Sequence, residues 1–278
     1  MSFLEIRSAI AQGTALLSAS GIPEPRFTAE LLLCHALGRE RAYLFAHPEQ
    51  ELREVEWLHY GRYLDQRMRG KPLQYITHKQ EFFGREFRVT PDVLIPRPET
   101  ELLAEAVLKM NRAAGELAID AGSGSGAIAV TLALDTGLRV VGTDVSLPAL
   151  EVARSNAQRL QARVQFVAGD LLVSFADESA DVVVSNPPYV PEADRGSLQR
   201  EVRDWEPALA LFGGEDGTDF YKRLIPQSVR VLKRGGVLAM EIGFGQARAV
   251  SELALGWRNV RLIPDLAGIP RVLVCEKP

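Results

Sequence analysis

The residues most suited to chemistry are Asn186, Pro187, Pro188 and Tyr189, which directly follow the strand-like, mostly apolar residues 182–185. Proline has no backbone N–H and a fixed φ, and it biases the preceding residue toward an extended backbone. The turn is therefore stiff and presents acceptors, namely the side-chain oxygen of Asn186 and backbone carbonyls. Such acceptors can bind the hydrogens of an amide or aromatic NH2 group and orient its lone pair toward an electrophilic methyl carbon. We expect Asn186, Pro187 and Tyr189 to act in catalysis, with Pro188 also contacting the substrate and the Tyr189 ring stacking on the planar group.

Methyl transfer of this kind depends on positioning, because the proton can leave the nitrogen after the attack. The 4 histidines are His35, His47, His59 and His78, so residues 79–278 contain none. A histidine base is therefore excluded from the part of the chain that carries the Asn-Pro-Pro-Tyr sequence.

A glycine-rich segment, Gly-Ser-Gly-Ser-Gly at residues 122–126, lies between a predicted strand and a predicted helix. Glycines permit a tight turn and let a ligand approach the backbone closely. Asp144 ends the next predicted strand, about 20 residues beyond the loop, where a carboxylate can accept hydrogen bonds from ribose hydroxyls. The pattern predicts a ligand that contains adenosine, and it fits NAD and S-adenosylmethionine alike.

Two further carboxylates favour S-adenosylmethionine. Asp120 precedes the loop, where its charge would repel a pyrophosphate and attract the ammonium and sulfonium groups of S-adenosylmethionine. Asp170 follows the third predicted strand and can accept from the adenine amino group while Leu171 packs on the purine, although an exposed loop carboxylate is an equal alternative for Asp170. The candidate cofactor-binding residues are Asp120, Gly122, Ser123, Gly124, Ser125, Gly126, Asp144, Asp170, Leu171 and Asn186, and no metal site is expected.

The elements that must position these residues begin near residue 118. Apolar runs typical of buried strands alternate there with helical segments, and the runs are LAIDAG, LRVVGTD, VQFVAGD, DVVVSNPPY, GGVLAMEIG, VRLIPD and RVLVCE. Continuous apolar strands joined by helices indicate an α/β fold with a mostly parallel sheet and helices on both faces. Ligands in such folds bind beyond the carboxyl ends of the strands, so Asn186 and the glycine-rich loop should share one crevice.

The N-terminal part of the chain predicts a different architecture. Phe3, Ile6, Ile10 and Leu17 recur at helical spacing, and further apolar stripes follow up to residue 68. Aromatic and β-branched residues around Gly84 favour a β-hairpin. We expect a helical substrate-recognition domain at residues 1–73, a linking hairpin at 74–96 and a methyltransferase domain at 97–278.

The composition is that of a globular protein, with 46% hydrophobic and 24% charged residues. The formal net charge of −4 argues against an extensive nucleic-acid surface, and no apolar run is long enough to span a membrane. The first residues lack the basic segment and apolar core of a signal peptide. Together with Cys34 and Cys275, which are expected as buried thiols, this favours a cytoplasmic location. The sequence indicates no particular oligomeric state.

Several motifs resemble, in order, those of the HemK/PrmC family of peptide chain release factor glutamine methyltransferases. The N-terminal sequence GIPEPRFTAELLLCHALG is similar to the helical domain of that family, and the resemblance covers nearly the whole chain. The other motifs are GKPLQYI, EFFGREFRV, VLIPRPETELL, DAGSGSGAIAV, SNPPYV, EVRDWEPALALFGGEDG, EIG and DLAGIPRV.

The resemblance implies a class I Rossmann-like methyltransferase that uses S-adenosylmethionine. Its implied reaction is methylation of the side-chain amide nitrogen of the glutamine in the Gly-Gly-Gln loop of class-1 release factors, which gives N5-methylglutamine. By the matching motifs, residues 122–126, Asp144 and Leu171 would hold the cofactor, and residues 186–189 would hold the glutamine. The sequence departs from the family at His78, where glycine is frequent, and at Leu171, where some members have tryptophan.

Arg97, within VLIPRPETELL, has a structural and a functional interpretation. Pro98 suits the first position of a helix, and Glu99 and Glu101 would complement the helix dipole. The functional interpretation assigns Arg97 to substrate binding over the cofactor cleft.

Other functions compete with the leading hypothesis. Asn-Pro-Pro-Tyr also occurs in adenine-N6 methyltransferases of nucleic acids, which would need a basic recognition region, and residues 1–80 are roughly balanced in charge. A glutamine methyltransferase of a large-subunit ribosomal protein usually carries Arg-Ser-Pro in place of the sequence around Arg97. A NAD-dependent oxidoreductase leaves Asn-Pro-Pro-Tyr unexplained, and a non-catalytic adapter would keep the cofactor site only as structure.

Overall fold

The computed structural model of the protein describes residues 4–110 and 112–278. Its helices are α1 (Ile6–Ala19), α2 (Pro25–Leu37), α3 (Arg41–Ala46), α4 (Glu54–Met68), α5 (Leu73–Thr77), α6 (Pro98–Leu108), α7 (Ala127–Asp135), α8 (Leu147–Arg159), α9 (Arg200–Trp205), α10 (Ala208–Leu211), α11 (Asp219–Val231) and α12 (Ala247–Leu253). Its strands are β1 (Lys79–Phe82), β2 (Arg85–Arg88), β3 (Leu117–Ala121), β4 (Arg139–Asp144), β5 (Val164–Ala168), β6 (Ala180–Ser185), β7 (Leu232–Glu241), β8 (Arg258–Pro264) and β9 (Pro270–Glu276). A 3-10 helix spans Glu192–Ser197.

The chain forms two compact units. One extends to His78 and also contains Gln199–Trp205, and the other comprises Lys79–Leu198 and Glu206–Pro278. The domain bounds given above remain a prediction, and Phe3 lies outside the described residues.

The first unit is helical, as the N-terminal apolar periodicity predicts. Apolar side chains of α1, α2 and α4 form its core, with Leu17, Leu32 and Tyr60 fully buried. Helix α2 begins with Pro25 at its first turn and ends before Gly38, whose φ of 62° is the left-handed conformation that terminates helices. The later segment joins this unit through an ion pair between Arg67 and Glu201, 2.7 Å apart.

The second unit begins with a hairpin that is shorter than the sequence suggested. Strands β1 and β2 pair antiparallel, and Phe83 and Gly84 form the turn with φ values of 51° and 68°. The first residues of the segment predicted as a hairpin instead belong to the helix α5, whose Tyr75 and Ile76 are buried. Pro72 occupies the N-cap of that helix, and burial of its apolar side chains outweighs their strand propensity.

The main sheet has seven strands in the order β5-β4-β3-β6-β7-β9-β8. Strands β5, β4, β3, β6 and β7 are parallel, whereas β9 pairs antiparallel with both β7 and β8. The two faces of β6 illustrate how the sheet is covered. Val182 and Val184 pack in a core with α6 and α7, and Val183 packs in a second core with α11 and α12. The predicted α/β fold class, with a mostly parallel sheet covered on both faces, is confirmed.

The strand order reverses direction between β3 and β6, which are neighbours in the sheet but not in the sequence. Such a switch point opens a crevice at the carboxyl ends of the two strands. Strand β3 leads into the glycine-rich loop, and β6 leads into Asn186. A hydrogen bond of 2.6 Å from the Ser185 hydroxyl to the Ala121 carbonyl joins the two strand ends. Among the described residues, no helix has the length and apolarity needed to cross a membrane.

Candidate active site

A cleft of about 380 Å³ opens at the switch point of the main sheet. Its volume is within the range of small-molecule binding sites. Most of the predicted site residues line it, namely Gly122, Ser123, Gly124, Ser125, Asp144, Asp170, Leu171, Asn186, Pro187 and Pro188. Asp120, Gly126, Tyr189 and Arg97 are not among the described residues that line the cleft.

The glycine-rich loop has a backbone that other residues adopt only with strain. Gly122 and Gly124 have φ values of 79° and 52°, and the space that a Cβ atom would occupy at either position is open. Gly126 forms the N-cap of α7. The loop therefore brings backbone to the cleft wall, where a ligand can approach it closely.

Asp144, at the end of β4, holds the glycine-rich loop in place. One carboxylate oxygen accepts from the Gly124 N–H at 2.9 Å, and the other accepts from the Ser146 N–H at 2.9 Å. Because each carboxylate oxygen can accept a further hydrogen bond, Asp144 keeps capacity for a ribose hydroxyl.

Asp120 lies beneath the loop and is fully buried, so it does not form part of the cleft wall as a ligand contact. Its Oδ2 atom accepts from the Ala129 N–H at 3.2 Å, while Oδ1 has no hydrogen-bond partner within residues 4–110 and 112–278. Burial and, to a smaller extent, the nearby charge of Asp144 raise the pKa of the Asp120 carboxyl to about 7, although hydrogen bonds from Ser123 and from the Ala129 N–H lower it. A cation in the cleft would favour the ionised form, which fits the positive charges of S-adenosylmethionine.

Asp170 is an exposed loop carboxylate, as the alternative interpretation expected, but it has a partner. It lines the cleft and forms an ion pair with Arg223, so an adenine amino group would share the carboxylate with that guanidinium. Leu171 follows with a φ of 51° and a mostly buried side chain that lines the cleft. The aliphatic side chain at this position offers a packing surface and no aromatic ring.

Asn186 presents one defined end of its amide to the cleft. Its Nδ2 atom donates to the Thr100 hydroxyl at 3.0 Å, and that hydroxyl donates to Glu241 Oε2 at 2.6 Å. Within the described part of the chain, no protein group donates to the other end of the amide, Oδ1. The acceptor oxygen of Asn186 is therefore available to a ligand NH2 group.

The Tyr189 hydroxyl is held by a buried carboxylate. The hydroxyl donates to Glu241 Oε1 at 3.0 Å, and the Tyr189 ring packs against the core between the sheet and α11. Burial raises the pKa of the Tyr189 hydroxyl well above its usual value. The buried Glu241 carboxylate needs the hydroxyl as a donor. Tyr189 is not among the described residues that line the cleft, and stacking of its ring on the substrate stays a prediction.

Arg97 is held by a buried carboxylate. Its guanidinium lies 2.5 Å from Glu206 Oε1, and Glu206 Oε2 also accepts from the Ile95 N–H at 3.1 Å. Arg97 is the N-cap of α6, which starts at Pro98 as its sequence predicts. These contacts give Arg97 a structural partner, and a role in substrate binding stays a prediction.

Sequence reasoning gave no role to Thr100 or Glu241. For Glu241, the sequence does contain a signal. Glu241 ends the apolar run GVLAMEIG, and a carboxylate at the end of a buried strand requires hydrogen-bond donors. Thr100, within PETELL, carries no comparable signal.

Comparison with known proteins agrees with this fold. Residues 8–77 match the family model of the PrmC N-terminal domain, and residues 98–202 match that of the methyltransferase small domain. A crystal structure of a methyltransferase from Pyrococcus furiosus, 22% identical in sequence, aligns with a TM-score of 0.54 over 70% of this chain and 90% of that chain. The fold and the cleft define a Rossmann-like methyltransferase that depends on S-adenosylmethionine.

Curated relatives make the assignment more specific. The release factor glutamine methyltransferase of Koribacter versatilis is 49% identical over 94% of this chain and 95% of its own length. The proteins of the same name from Moorella thermoacetica and Bacillus subtilis are each 42% identical, over 99% and 88% of this chain and 99% and 89% of their own lengths. The chain belongs to the release factor glutamine methyltransferase family.

Proposed function

We propose that the protein transfers the methyl group of S-adenosylmethionine to the side-chain amide nitrogen of the glutamine in the Gly-Gly-Gln loop of class-1 peptide chain release factors. The curated relatives bear the name of this activity. The observation that carries the proposal is the orientation of the Asn186 amide, whose Nδ2 donates to Thr100 and whose Oδ1 remains to accept from a substrate NH2 group. The reaction would take place in the cytoplasm, where release factors act.

In the proposed mechanism the protein acts by binding and orienting the substrate amide. Bound in the cleft, S-adenosylmethionine supplies an electrophilic methyl group. Asn186 Oδ1 and the backbone carbonyl of Pro187 accept hydrogen bonds from the substrate NH2 and turn the nitrogen lone pair toward that methyl group. An amide nitrogen is a weak nucleophile because its lone pair is conjugated, so fixing its orientation lowers the barrier. The nitrogen loses its proton to water after the C–N bond forms.

The cofactor would be held by residues on both sides of the switch point. Asp144 would accept from the ribose hydroxyls, the backbone of residues 122–126 would approach the methionine part, and Leu171 would pack on the adenine. Asp120 would act through its charge from beneath the loop. This assignment rests on the cleft residues and their remaining hydrogen-bonding capacity.

A labelling experiment tests the proposed function. The protein is incubated with methyl-labelled S-adenosylmethionine and either a class-1 release factor or the same factor with its loop glutamine changed to alanine. We expect label in the first factor and none in the second, with no label in nucleic acid or in ribosomal proteins. Label that appears in nucleic acid alone would instead favour adenine-N6 methylation, the chemistry that shares the Asn-Pro-Pro-Tyr sequence.

We also propose that the N-terminal helical unit binds the release factor. The reason is that this helical part of the chain forms a compact unit of its own, and the enzyme must recognise a whole protein. Hydrogen–deuterium exchange of the full chain, with and without release factor, provides the measurement. We expect slower exchange within α1 to α4 when the factor is present, and protection confined to the second unit would contradict the proposal.

A further inference from the structure

A buried chain of hydrogen bonds lies behind Asn186. Nδ2 of Asn186 donates to Thr100 Oγ1 at 3.0 Å, and Thr100 Oγ1 lies 2.6 Å from Glu241 Oε2. The Tyr189 hydroxyl lies 3.0 Å from the other carboxylate oxygen, Glu241 Oε1. Thr100 and Glu241 are 4% and 2% exposed, so water does not compete for these contacts. Three segments of the chain therefore meet at Glu241, namely the start of α6, the turn after β6 and the end of β7.

The chemistry of these groups determines which of them donates in each hydrogen bond. An ionised carboxylate only accepts hydrogen bonds, and a hydroxyl has one hydrogen to donate. Thr100 and Tyr189 must therefore donate to Glu241, and the Thr100 oxygen is left to accept. Only the NH2 end of the Asn186 amide can donate to it, so the amide oxygen must point the other way, toward the cleft.

We propose that Glu241, acting through Thr100, is the positioning residue that selects the orientation of the Asn186 amide. The inference rests on the proposed function of Asn186 as the acceptor for a substrate NH2. The reversed amide would turn Nδ2, a donor, toward another donor, and the substrate nitrogen would lose its partner. Asn186 contacts the substrate in this scheme. Thr100 also lines the cleft, but its proposed role, like that of Glu241, is exerted through Asn186.

Burial of a carboxylate costs free energy unless hydrogen-bond donors stabilise it, and Thr100 and Tyr189 are such donors for Glu241. The charged and titratable groups around Glu241 are Glu99 on α6, Tyr189 after β6, Tyr221 on α11 and Arg271 on β9. Burial raises the pKa of Glu241, and Glu99 raises it further, while the two hydrogen bonds and Arg271 oppose the shift. A protonated Glu241 could donate to Thr100. The Thr100 hydrogen would then be free to bond to Asn186 Oδ1, and the direction of these hydrogen bonds would be reversed.

Exchanges at Thr100 test the inference in the full-length protein. Thr100→Val keeps the shape and removes the hydroxyl, and Thr100→Ser is the matched control that keeps it. We expect Thr100→Val to lower kcat on a release factor by roughly 10- to 100-fold, with the dissociation constant for S-adenosylmethionine little changed. Thr100→Ser should retain most of the turnover. A folded Thr100→Val protein with wild-type kcat would overturn the inference while leaving the proposed function intact.

The pH profile of kcat separates positioning by Glu241 from simple packing. The hydrogen bonds leave Asn186 Oδ1 facing the cleft only while the Glu241 carboxylate is ionised. Wild-type kcat should therefore fall as the pH drops through the raised pKa of Glu241. Glu241→Gln cannot ionise, so its kcat should lack this decline. A decline at the same pH in Glu241→Gln would show that another group causes it and would overturn the role of Glu241.

A measurement without substrate keeps the inference distinguishable from the proposed function. Hydrogen exchange of the Asn186 side-chain NH2, followed by nuclear magnetic resonance, should be slow in the wild type and in Thr100→Ser and faster in Thr100→Val. Equal rates in all three proteins would contradict the inference even if no release factor were methylated. Slow exchange that depends on the Thr100 hydroxyl would support it regardless of which substrate carries the NH2 group.

Discussion

Asn186→Ala is expected to lower turnover by roughly 5- to 150-fold, because removing an oriented acceptor costs about 1–3 kcal/mol in the transition state. The Asn186 amide is fixed by its hydrogen bond to Thr100 and has Oδ1 available to the substrate. Its loss leaves the substrate NH2 without one of its acceptors at the moment when the nitrogen must be aligned. The affinity for S-adenosylmethionine should change much less, since the glycine-rich loop and Asp144 are untouched. Single-turnover rates with saturating cofactor, and calorimetric binding of the cofactor, measure the two effects separately.

Asp144→Ala is the contrasting variant for this prediction. Its carboxylate accepts from the backbone of the glycine-rich loop and of Ser146, so its removal should weaken cofactor binding first. Turnover at saturating cofactor should survive better than in Asn186→Ala. The role of Asn186 would be wrong if its replacement abolished cofactor binding while turnover per bound cofactor persisted.

The backbone of the site could be predicted from the sequence because its signals are local. The apolar run before Asn186 predicts a buried strand, and β6 ends at Ser185. Glycines after a strand predict a turn with left-handed conformations, and Gly122 and Gly124 have them. In both cases the residue types within a few positions determine the conformation, so no distant contact was needed for the prediction.

Side-chain directions could not be predicted, because distant residues decide them. Tyr189 turns toward Glu241, which lies 52 positions along the chain, since the buried carboxylate needs a donor. Asp170 pairs with Arg223, 53 positions away, and this pairing changes what the carboxylate offers to a ligand. A short sequence window contains neither partner. The same reason explains why Thr100, 86 positions before Asn186, gained a role only from the structure.

Asp120→Asn is expected to stabilise the unliganded protein at pH 8, and the gain should depend on pH. The pKa of the Asp120 carboxyl is raised by burial from 3.8 to about 7 in the folded protein. Between these values the folded state holds a proton that the unfolded state has released, so the free energy of unfolding of the wild type falls as the pH rises. Above pH 7 the folded protein carries the full cost of a buried charge, whose Oδ1 has no partner among the described residues.

Asparagine removes that charge while its amide oxygen can still accept from the Ala129 N–H. Three pKa units correspond to about 4 kcal/mol, and an unsatisfied amide NH2 offsets about 1–3 kcal/mol of this, so the net gain at pH 8 should be about 1–3 kcal/mol. Urea unfolding at several pH values measures it, and the difference from the wild type should grow between pH 5 and 7 and then level off. A difference that is independent of pH would contradict a raised pKa for Asp120.

The same charge should favour a cationic ligand, so stability and binding are expected to change in opposite directions. S-adenosylhomocysteine lacks the sulfonium charge of S-adenosylmethionine and otherwise matches it apart from the methyl group. Asp120→Asn should therefore weaken binding of S-adenosylmethionine more than binding of S-adenosylhomocysteine. Equal losses for both ligands would mean that Asp120 acts through the shape of the loop and not through its charge. The buried carboxylate thus destabilises the unliganded fold in the pH range where its charge would help to hold the cofactor.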